Sequence, residues 1–302
     1  MKPTMRKAGD YIDQKAISKL VGTPQVSTQA MMGTISGYHR SSHKGSSVEF
    51  AEYREYSPGD DLKRLDWRVL GRTERFYLKE FEADTNLQCH FLLDSSASMN
   101  FGNQISKFEY GKKLVGTLSY LFLQQGDAVG MDLSSINSSI TSSAKRNPAQ
   151  MNTILQALLQ AKAEGDQSIS SSIHRLAQSS RKRSLIIVIS DFFEEADDIK
   201  QGIHHCRDRK HQLLLFHLLD KQEENFNFTR PTRFIDLENG NSLISDPQSV
   251  RDEYLDKLKS HIYTIEQGCL ETQSSYHKLS THLTLSDGLK PFATDPNFSR
   301  KK

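Results

Sequence analysis

Two serines and an aspartate follow an apolar segment of this 302-residue chain at a spacing that suits metal binding. The segment Leu87 to Leu93 reads LQCHFLL and predicts a buried strand, and the letters DSSAS follow it directly. A strand that ends in Asp-x-Ser-x-Ser brings three hard oxygen ligands to one point. Hard divalent cations such as Mg²⁺ take oxygen ligands in near-octahedral geometry. Asp94, Ser96 and Ser98 are therefore candidate ligands of Mg²⁺ or Mn²⁺.

A second aspartate ends another apolar segment. Residues Ser184 to Ser190 read SLIIVIS and lead into Asp191. Such a run without alternation predicts a central strand that is buried on both faces. From Leu87 onward, predicted strands and helices alternate, which indicates a mainly parallel sheet with helices on both faces. Ligand sites in such sheets lie at the carboxyl ends of the strands, so we expect Asp191 to face the same crevice as Asp94.

Apolar periodicity, turn residues and capping residues predict the remaining elements. The predicted helices cover Asp10–Val21, Lys107–Gln125, Asn147–Ala163, Ser170–Gln178, Ala196–Arg207 and a long segment that opens at Asp246-Pro247. The further predicted strands are Ala128–Leu133, a polar edge segment Ile136–Ser142, Gln212–Leu219, a hairpin of Phe234–Leu237 with Asn241–Ile244, and a last short strand His282–Leu285.

Composition excludes several classes of protein. The formal net charge is +2, so no global field favours nucleic acid or an anionic membrane. Three scattered cysteines without a Cys-x-x-Cys pair indicate neither a disulfide framework nor a zinc ribbon. The N-terminus lacks the apolar core of a signal peptide, and no apolar run approaches the roughly 20 residues that span a bilayer. We expect a soluble protein of a reducing cytoplasm.

Changes in composition and charge along the chain divide it into four parts. We predict an N-terminal helix and linker over residues 1–32, a charged β-rich subdomain over 33–86, an α/β domain over 87–290 and a tail over 291–302. In the subdomain acids nearly match bases, whereas a phosphate-binding surface needs an excess of bases. We expect the lone tryptophan, Trp67, to pack beneath the turn at Ser57–Asp61.

The residues at the two strand ends resemble a known metal site. Asp94, Ser96, Ser98 and Asp191 match the metal-ion-dependent adhesion site of von Willebrand factor A domains. In that family two serines and a threonine bind Mg²⁺, and the two aspartates act mostly through water. Here the corresponding loop offers no threonine, and Ser168 is its nearest hydroxyl, which implies a weak site. The resemblance implies a Rossmann-like fold of this type and a protein partner that supplies an Asp or Glu to the metal.

The chain as a whole resembles a narrower bacterial family, domain of unknown function 58, over Gly33 to Leu285. The resemblance is carried by SGYHRSSHKGSSVEFAEYREYSPGDDLKRLDW, GRT, FYLKEFE, LLDSSASM, YLFLQQGDAVG, VISDFF, LFHLLD and FIDLENG with ISDP. Genes of this family commonly neighbour a MoxR-type AAA+ ATPase. The resemblance therefore implies an adaptor that works with such an ATPase in assembling or activating complexes. Many members carry N-terminal membrane helices, whereas this sequence shows none.

Two other functional classes remain as alternatives. One is a metal-dependent phosphohydrolase that uses Asp94 as nucleophile or ligand. Against it, the chain has no Gly-x-Ser-x-Gly elbow and no Walker A loop, and no acid lies two residues after Asp94. The other is a structural domain without metal, in which the serines cap a turn, Asp191 caps the following helix and Ser168 begins a helix. We favour the non-enzymatic interaction module.

Overall fold

The computed structural model describes residues 8–21, 48–56, 67–73, 76–83, 88–133, 140–164, 168–180, 182–228, 232–235 and 242–295. The chain forms two compact units. The smaller comprises Tyr38–Asn86, and the larger comprises Met1–Gly37 with Leu87–Lys302.

The smaller unit contains an antiparallel strand pair and a helix. Strand β1 (Val48–Glu55) pairs with β2 (Tyr77–Ala83), and helix α2 covers Trp67–Thr73. The predicted turn at residues 57–61 lies outside the described residues. The expectation for Trp67 is wrong, because its side chain is 66% exposed.

A six-stranded sheet organises the larger unit, in the order β10-β7-β6-β3-β4-β5. Its strands are β3 (Gln88–Leu93), β4 (Ala128–Leu133), β5 (Ile140–Lys145), β6 (Leu185–Ser190), β7 (Gln212–Leu219) and β10 (Ser275–Ser280). Only β5, at one edge, runs antiparallel to its neighbour. Numbered along the chain, these six strands have the doubly wound order 3-2-1-4-5-6. The predicted Rossmann-like fold class, a mainly parallel sheet with helices on both faces, is confirmed.

Helices cover both faces of this sheet. Helices α1 (Gln14–Val21), α3 (Lys107–Gln124), α4 (Ala149–Gln160), α9 (Leu285–Gly288) and α10 (Lys290–Ala293) share one core with the sheet. Helices α5 (Ile169–Ser179), α6 (Ala196–Asp208) and α8 (Pro247–Thr272) share the other. Successive residues of β3 point alternately into the two cores, Phe91 and Leu93 into the first and Leu92 into the second. This double burial explains why the central strands read as continuous apolar runs.

The N-terminal segment packs on the larger unit. A 3₁₀ turn at Ala8–Tyr11 precedes α1, and Tyr11 and Leu20 lie in the first core. The Tyr11 carbonyl approaches α3 so closely at Gly116 that a Cβ there would overlap it. The Asp13 amide also donates to Thr117 Oγ1 at 3.0 Å. A glycine on α3 therefore provides the space in which this segment docks.

The C-terminal end differs from the prediction. The predicted strand His282–Leu285 is wrong, since the last strand among the described residues is β10, and Thr284 instead caps α9 by accepting from the Asp287 amide. Strand β10 pairs in parallel with β7, with Ser275 opposite Leu214. Its sequence, SYHKLS, is mostly polar, so apolar patterning does not mark it as a strand. Phe292 and Ala293, assigned to the predicted tail, are buried in the first core.

The predicted hairpin forms, shifted by one or two residues. Strands β8 (Thr232–Ile235) and β9 (Ser242–Ser245) pair antiparallel, and the turn between them lies outside the described residues. A short helix α7 (Lys221–Asn225) precedes them. No helix in the described part of the chain combines the length and apolar character needed to cross a membrane.

Candidate metal and docking site at the carboxyl edge of the sheet

The ends of β3 and β6 meet at one edge of the sheet. The strands are parallel neighbours with Leu93 opposite Ile189, and the Asp94 amide continues the ladder by donating to the Ile189 carbonyl at 2.9 Å. Asp94 and Asp191 each follow the last residue of their strand by one position. The structure therefore brings both aspartates to the same edge, as the strand pattern suggested.

Asp94 anchors the loop that carries the two serines. Its carboxylate is buried and accepts a hydrogen bond from the Ser96 amide at 2.8 Å through Oδ1, and one from Ser190 Oγ at 2.5 Å through Oδ2. Above this anchor, the hydroxyl oxygens of Ser96 and Ser98 lie 3.0 Å apart. An Asx turn of this kind fixes the loop without any metal.

Burial, followed by the nearby charge of Asp191, raises the pKa of Asp94 to about 7. The hydrogen bonds from Ser190 and Ser96 act in the opposite direction, because they stabilise the carboxylate. The group is therefore held closer to neutral than an ordinary aspartate.

Asp191 forms an ion pair with a buried lysine. Its Oδ2 lies 2.7 Å from Nζ of Lys107, the first residue of α3, and Glu223 Oε1 lies 2.6 Å from the same nitrogen. The Lys107 side chain is 0% exposed. Burial acts to lower the pKa of Lys107, but the charges of Asp191 and Glu223 outweigh it and raise that pKa. Lys107 therefore stays charged inside the protein.

Glu223 lies on a short helix that follows a third strand, β7. Helix α7 begins after β7, with Asp220 and Glu223 forming a capping box in which the Asp220 amide donates to Glu223 Oε2 at 2.7 Å. Burial raises the pKa of Glu223, although Lys107 opposes this shift. Asp191, which follows β6, and Glu223, on the helix after β7, thus meet around the Lys107 ammonium group at the start of α3. The residue patterns did not predict this meeting. The D-x-x-E capping signature was visible in the sequence, whereas nothing in it marks Lys107 as buried.

Ser168 lies at a helix N-terminus. It is the N-cap of α5, its Oγ accepts from the Ser171 amide at 3.2 Å, and it lies 2.8 Å from Ser170 Oγ. The Glu194 carboxylate accepts from the Ile169 and Ser170 amides of the same helix end. The structure thus brings Ser168 against the loop that follows Asp191. Its role as a metal ligand stays a prediction.

The loop after β6 has a strained turn. Phe192 is buried and has a φ of 51°, in the left-handed region, and its carbonyl accepts a hydrogen bond from His261 Nε2 at 2.9 Å. The next residue, Phe193, is 44% exposed, and its ring centre lies 4.7 Å from Lys107 Nζ. The N-cap of the following helix is Glu195, so Asp191 does not serve as that cap.

A comparison with known families gives this arrangement a context. The model of a family described as "Protein of unknown function DUF58" matches residues 52–263. The chain belongs to the DUF58 family. Uncharacterized proteins of Mycobacterium bovis and Mycobacterium tuberculosis are 24% identical to it over 265 residues, which cover 86% of this chain and 82% of theirs.

Several solved structures are similar to this DUF58 chain. The conserved hypothetical protein BatB from Bacteroides thetaiotaomicron is 17% identical with a TM-score of 0.43, covering 70% of this chain and 100% of its own. An aerotolerance-related membrane protein from Bacteroides fragilis is 15% identical with a TM-score of 0.45, covering 69% and 96%. The SpRpn10 VWA domain is 16% identical with a TM-score of 0.40, covering 72% and 98%. The strand order of this chain, rather than these similarities, establishes its fold class.

The raised pKa of Asp94 predicts a pH dependence of stability. Because the folded pKa of about 7 lies above the ordinary 3.8, the folded state binds more protons than the unfolded state between those values. The contribution of Asp94 is fully present below about pH 4 and is lost as pH rises through about 7. Asp94→Asn should therefore gain roughly 1–3 kcal/mol relative to wild type across this window, and no more above it.

Urea unfolding of both proteins in chelator, from pH 4.5 to 8, measures this difference. Burial lowers the pKa of His217 to about 3, so its contribution has the opposite slope in the same range. Both proteins contain His217, and its contribution cancels in the difference. Parallel stability curves for wild type and variant would contradict the prediction.

The N-cap position of Ser168 predicts a second effect. Ser168→Ala should lower the free energy of unfolding by about 1 kcal/mol, because the Ser171 amide loses its acceptor. Ser171→Ala, in the first turn of the same helix, is the matched control and should change stability little. Urea unfolding measures both variants. A Mn²⁺ affinity that falls in Ser168→Ala but not in the control would identify Ser168 as a ligand in addition.

Proposed function

We propose that this protein is a non-enzymatic interaction module that docks a protein partner through a divalent ion at the carboxyl edge of its sheet. Mg²⁺ or Mn²⁺ would be held by the Ser96 and Ser98 hydroxyls, with Asp94 and Asp191 behind them and Ser168 as the candidate loop ligand. The partner that we propose is a MoxR-type AAA+ ATPase, with which the protein would act in assembling or activating other complexes.

The spacing of the two serine hydroxyls is the observation that supports a metal here. Mg²⁺ binds oxygen ligands at 2.0–2.1 Å in octahedral geometry, so two adjacent ligands lie about 3 Å apart. The Ser96 and Ser98 oxygens are hydrogen-bonded to each other at 3.0 Å, and this separation would also let both bind one ion. The donor set also fits, because hydroxyl and carboxylate oxygens suit hard cations. Among the described residues no three His, Cys, Asp or Glu side chains form a metal cluster, so a site here depends on the hydroxyls.

Neutral ligands explain why such a site would recruit a partner. Serine hydroxyls contribute no negative charge, and Asp191 is already paired with Lys107. A bound divalent ion would supply strong attraction for an anionic oxygen, and the protein's own ligands would leave that attraction incompletely satisfied. A carboxylate from a partner's Asp or Glu would complete the coordination.

The surface beside the site suits protein contact. Phe193 is 44% exposed and lies two residues after Asp191. Exposed aromatic side chains at the centre of an interface contribute much of the binding free energy. The apolar ring of Phe193, beside the proposed metal ion, is therefore a suitable contact for a protein partner.

The geometry gives less support to the phosphohydrolase alternative. Asp94 is buried, and both of its carboxylate oxygens already accept hydrogen bonds from Ser96 and Ser190. A nucleophilic carboxylate needs access to the phosphorus atom of a substrate. Turnover of a generic phosphate ester that is abolished in Asp94→Asn would nevertheless replace the docking proposal with the enzymatic one.

Removing one hydroxyl should weaken both metal binding and docking. Ser96→Ala should reduce Mn²⁺ affinity about tenfold or more in calorimetry, since one of two adjacent ligands is lost. It should also abolish the Mg²⁺-dependent, chelator-sensitive capture of the purified MoxR-type ATPase from the same genome.

Ser119→Ala is the matched control for this experiment. Ser119 is also a buried serine, but it lies on α3 twelve residues after Lys107, about 18 Å along the helix axis. It should leave Mn²⁺ affinity and capture unchanged. Capture that is equal in Ser96→Ala and wild type, with or without chelator, would exclude metal-mediated docking.

Truncating the exposed aromatic ring tests the docking surface, and Mn²⁺ affinity is measured in parallel because the ring also lies 4.7 Å from Lys107 Nζ. Phe193→Ala should weaken ATPase capture several-fold, because the apolar contact beside the proposed metal ion is lost. Leu270→Ala removes a more exposed apolar side chain near the C-terminal end of α8 and should leave capture unchanged. Equal loss in both variants would place the docking surface elsewhere.

A further inference from the structure

Lys107 is an unusual neighbour for a metal site. Its ammonium group is fully buried and lies 2.7 Å from Asp191 Oδ2 and 2.6 Å from Glu223 Oε1. A cation therefore already neutralises one of the two aspartates of the proposed metal site. Because the side chain has no access to solvent, the charge cannot move into water while the fold is intact.

A second buried lysine on the same helix shows that this placement is specific. Lys112 is also buried, but its ammonium group contacts Glu109 at 3.1 Å and the Ala161 carbonyl at 2.7 Å. The two lysines are five residues apart on α3, and Lys107 is the one that pairs with Asp191. Helix α3 thus directs one buried charge to the candidate site and another to a separate structural contact.

We propose that Lys107 is a resident cation that competes with the divalent ion for Asp191, so that metal binding requires the ammonium to give up Asp191 and to keep Glu223 as its counter-charge. This inference rests on the metal site proposed above and adds its regulation. A divalent ion near Asp191 and an ammonium on the same carboxylate repel each other, and the repulsion is weakly screened in a buried site. Glu223 makes the exchange feasible, since it keeps the ammonium neutralised after Asp191 turns to the metal.

The arrangement predicts opposite effects for two substitutions. Lys107→Met removes the competing charge, so Mn²⁺ affinity should rise about tenfold or more. Glu223→Gln removes the alternative acceptor, so metal binding would leave the ammonium buried without a counter-charge, and Mn²⁺ affinity should fall. Lys112→Met removes the other buried ammonium of α3 and should leave Mn²⁺ affinity unchanged.

Calorimetric titration of the full chain with Mn²⁺ measures all four proteins, and thermal unfolding with and without Mn²⁺ gives a second readout. Lys107→Met should have a lower melting temperature than wild type in chelator, because the buried Asp191 and the partly buried Glu223 lose their partner. On addition of Mn²⁺, the melting temperature of Lys107→Met should rise by more than that of wild type. If Lys107→Met does not fold, the fall in Mn²⁺ affinity of Glu223→Gln decides, and an unchanged affinity there overturns the inference.

The outcomes separate this inference from the proposed function. Metal binding by wild type with no tightening in Lys107→Met overturns the competition and leaves the docking metal site standing. Binding by Lys107→Met alone supports the competition and contradicts a metal site in the wild-type protein. Binding by neither protein overturns both. Tightening in Lys112→Met equal to that in Lys107→Met would also overturn the competition, because that lysine does not pair with Asp191.

Discussion

The buried ion pair of Lys107 with Asp191 and Glu223 is the interaction on which the carboxyl edge of the sheet depends. Asp94, Asp191 and Glu223 all reach this edge, and three carboxylates in a poorly solvated space would repel one another and favour protonation. One ammonium, 2.7 Å and 2.6 Å from two of them, offsets part of this charge. The third, Asp94, is not one of these two, and burial together with the charge of Asp191 raises its pKa. Removing one member of a buried pair typically costs several kcal/mol, so the edge tolerates few changes.

The topology of the sheet creates this concentration of acids. Parallel strands direct their carboxyl ends to one side, and β3, β6 and β7 are consecutive in the sheet. An aspartate directly follows each of these strands, namely Asp94, Asp191 and Asp220. Asp220 instead caps α7, where its carboxylate accepts a hydrogen bond from the Gln222 amide. Helix α3 begins at the same edge because it follows β3, and its first residue therefore lies where a cation is needed.

Residue patterns predicted the parts of this structure that depend on apolar burial and topology. The apolar segments ending at Asp94 and Asp191 predicted central strands, and the parallel arrangement predicted that the two acids meet. The patterns did not reveal Lys107, because a lysine at a helix start looks the same whether it is solvated or buried. They also misplaced the last strand, because β10 contains Ser275 and His277, polar residues that only tertiary packing buries. Ser168 could be predicted as a helix start or as a ligand, and the helix start is what the backbone shows.

The strained turn at Phe192 explains how the edge keeps its shape. A glycine would adopt a φ of 51° without strain, but it would not fill the second core as the Phe192 ring does. Burial of that ring and the hydrogen bond from His261 to its carbonyl offset the strain. The turn sends the Phe192 side chain inward and leaves Phe193 exposed beside Asp191. Asp94 fixes the loop that carries Ser96 and Ser98, and core packing of Phe192 fixes the loop that carries Phe193. A partner would therefore meet a surface that is already formed. Binding to such a surface loses little conformational entropy, which favours a docking role.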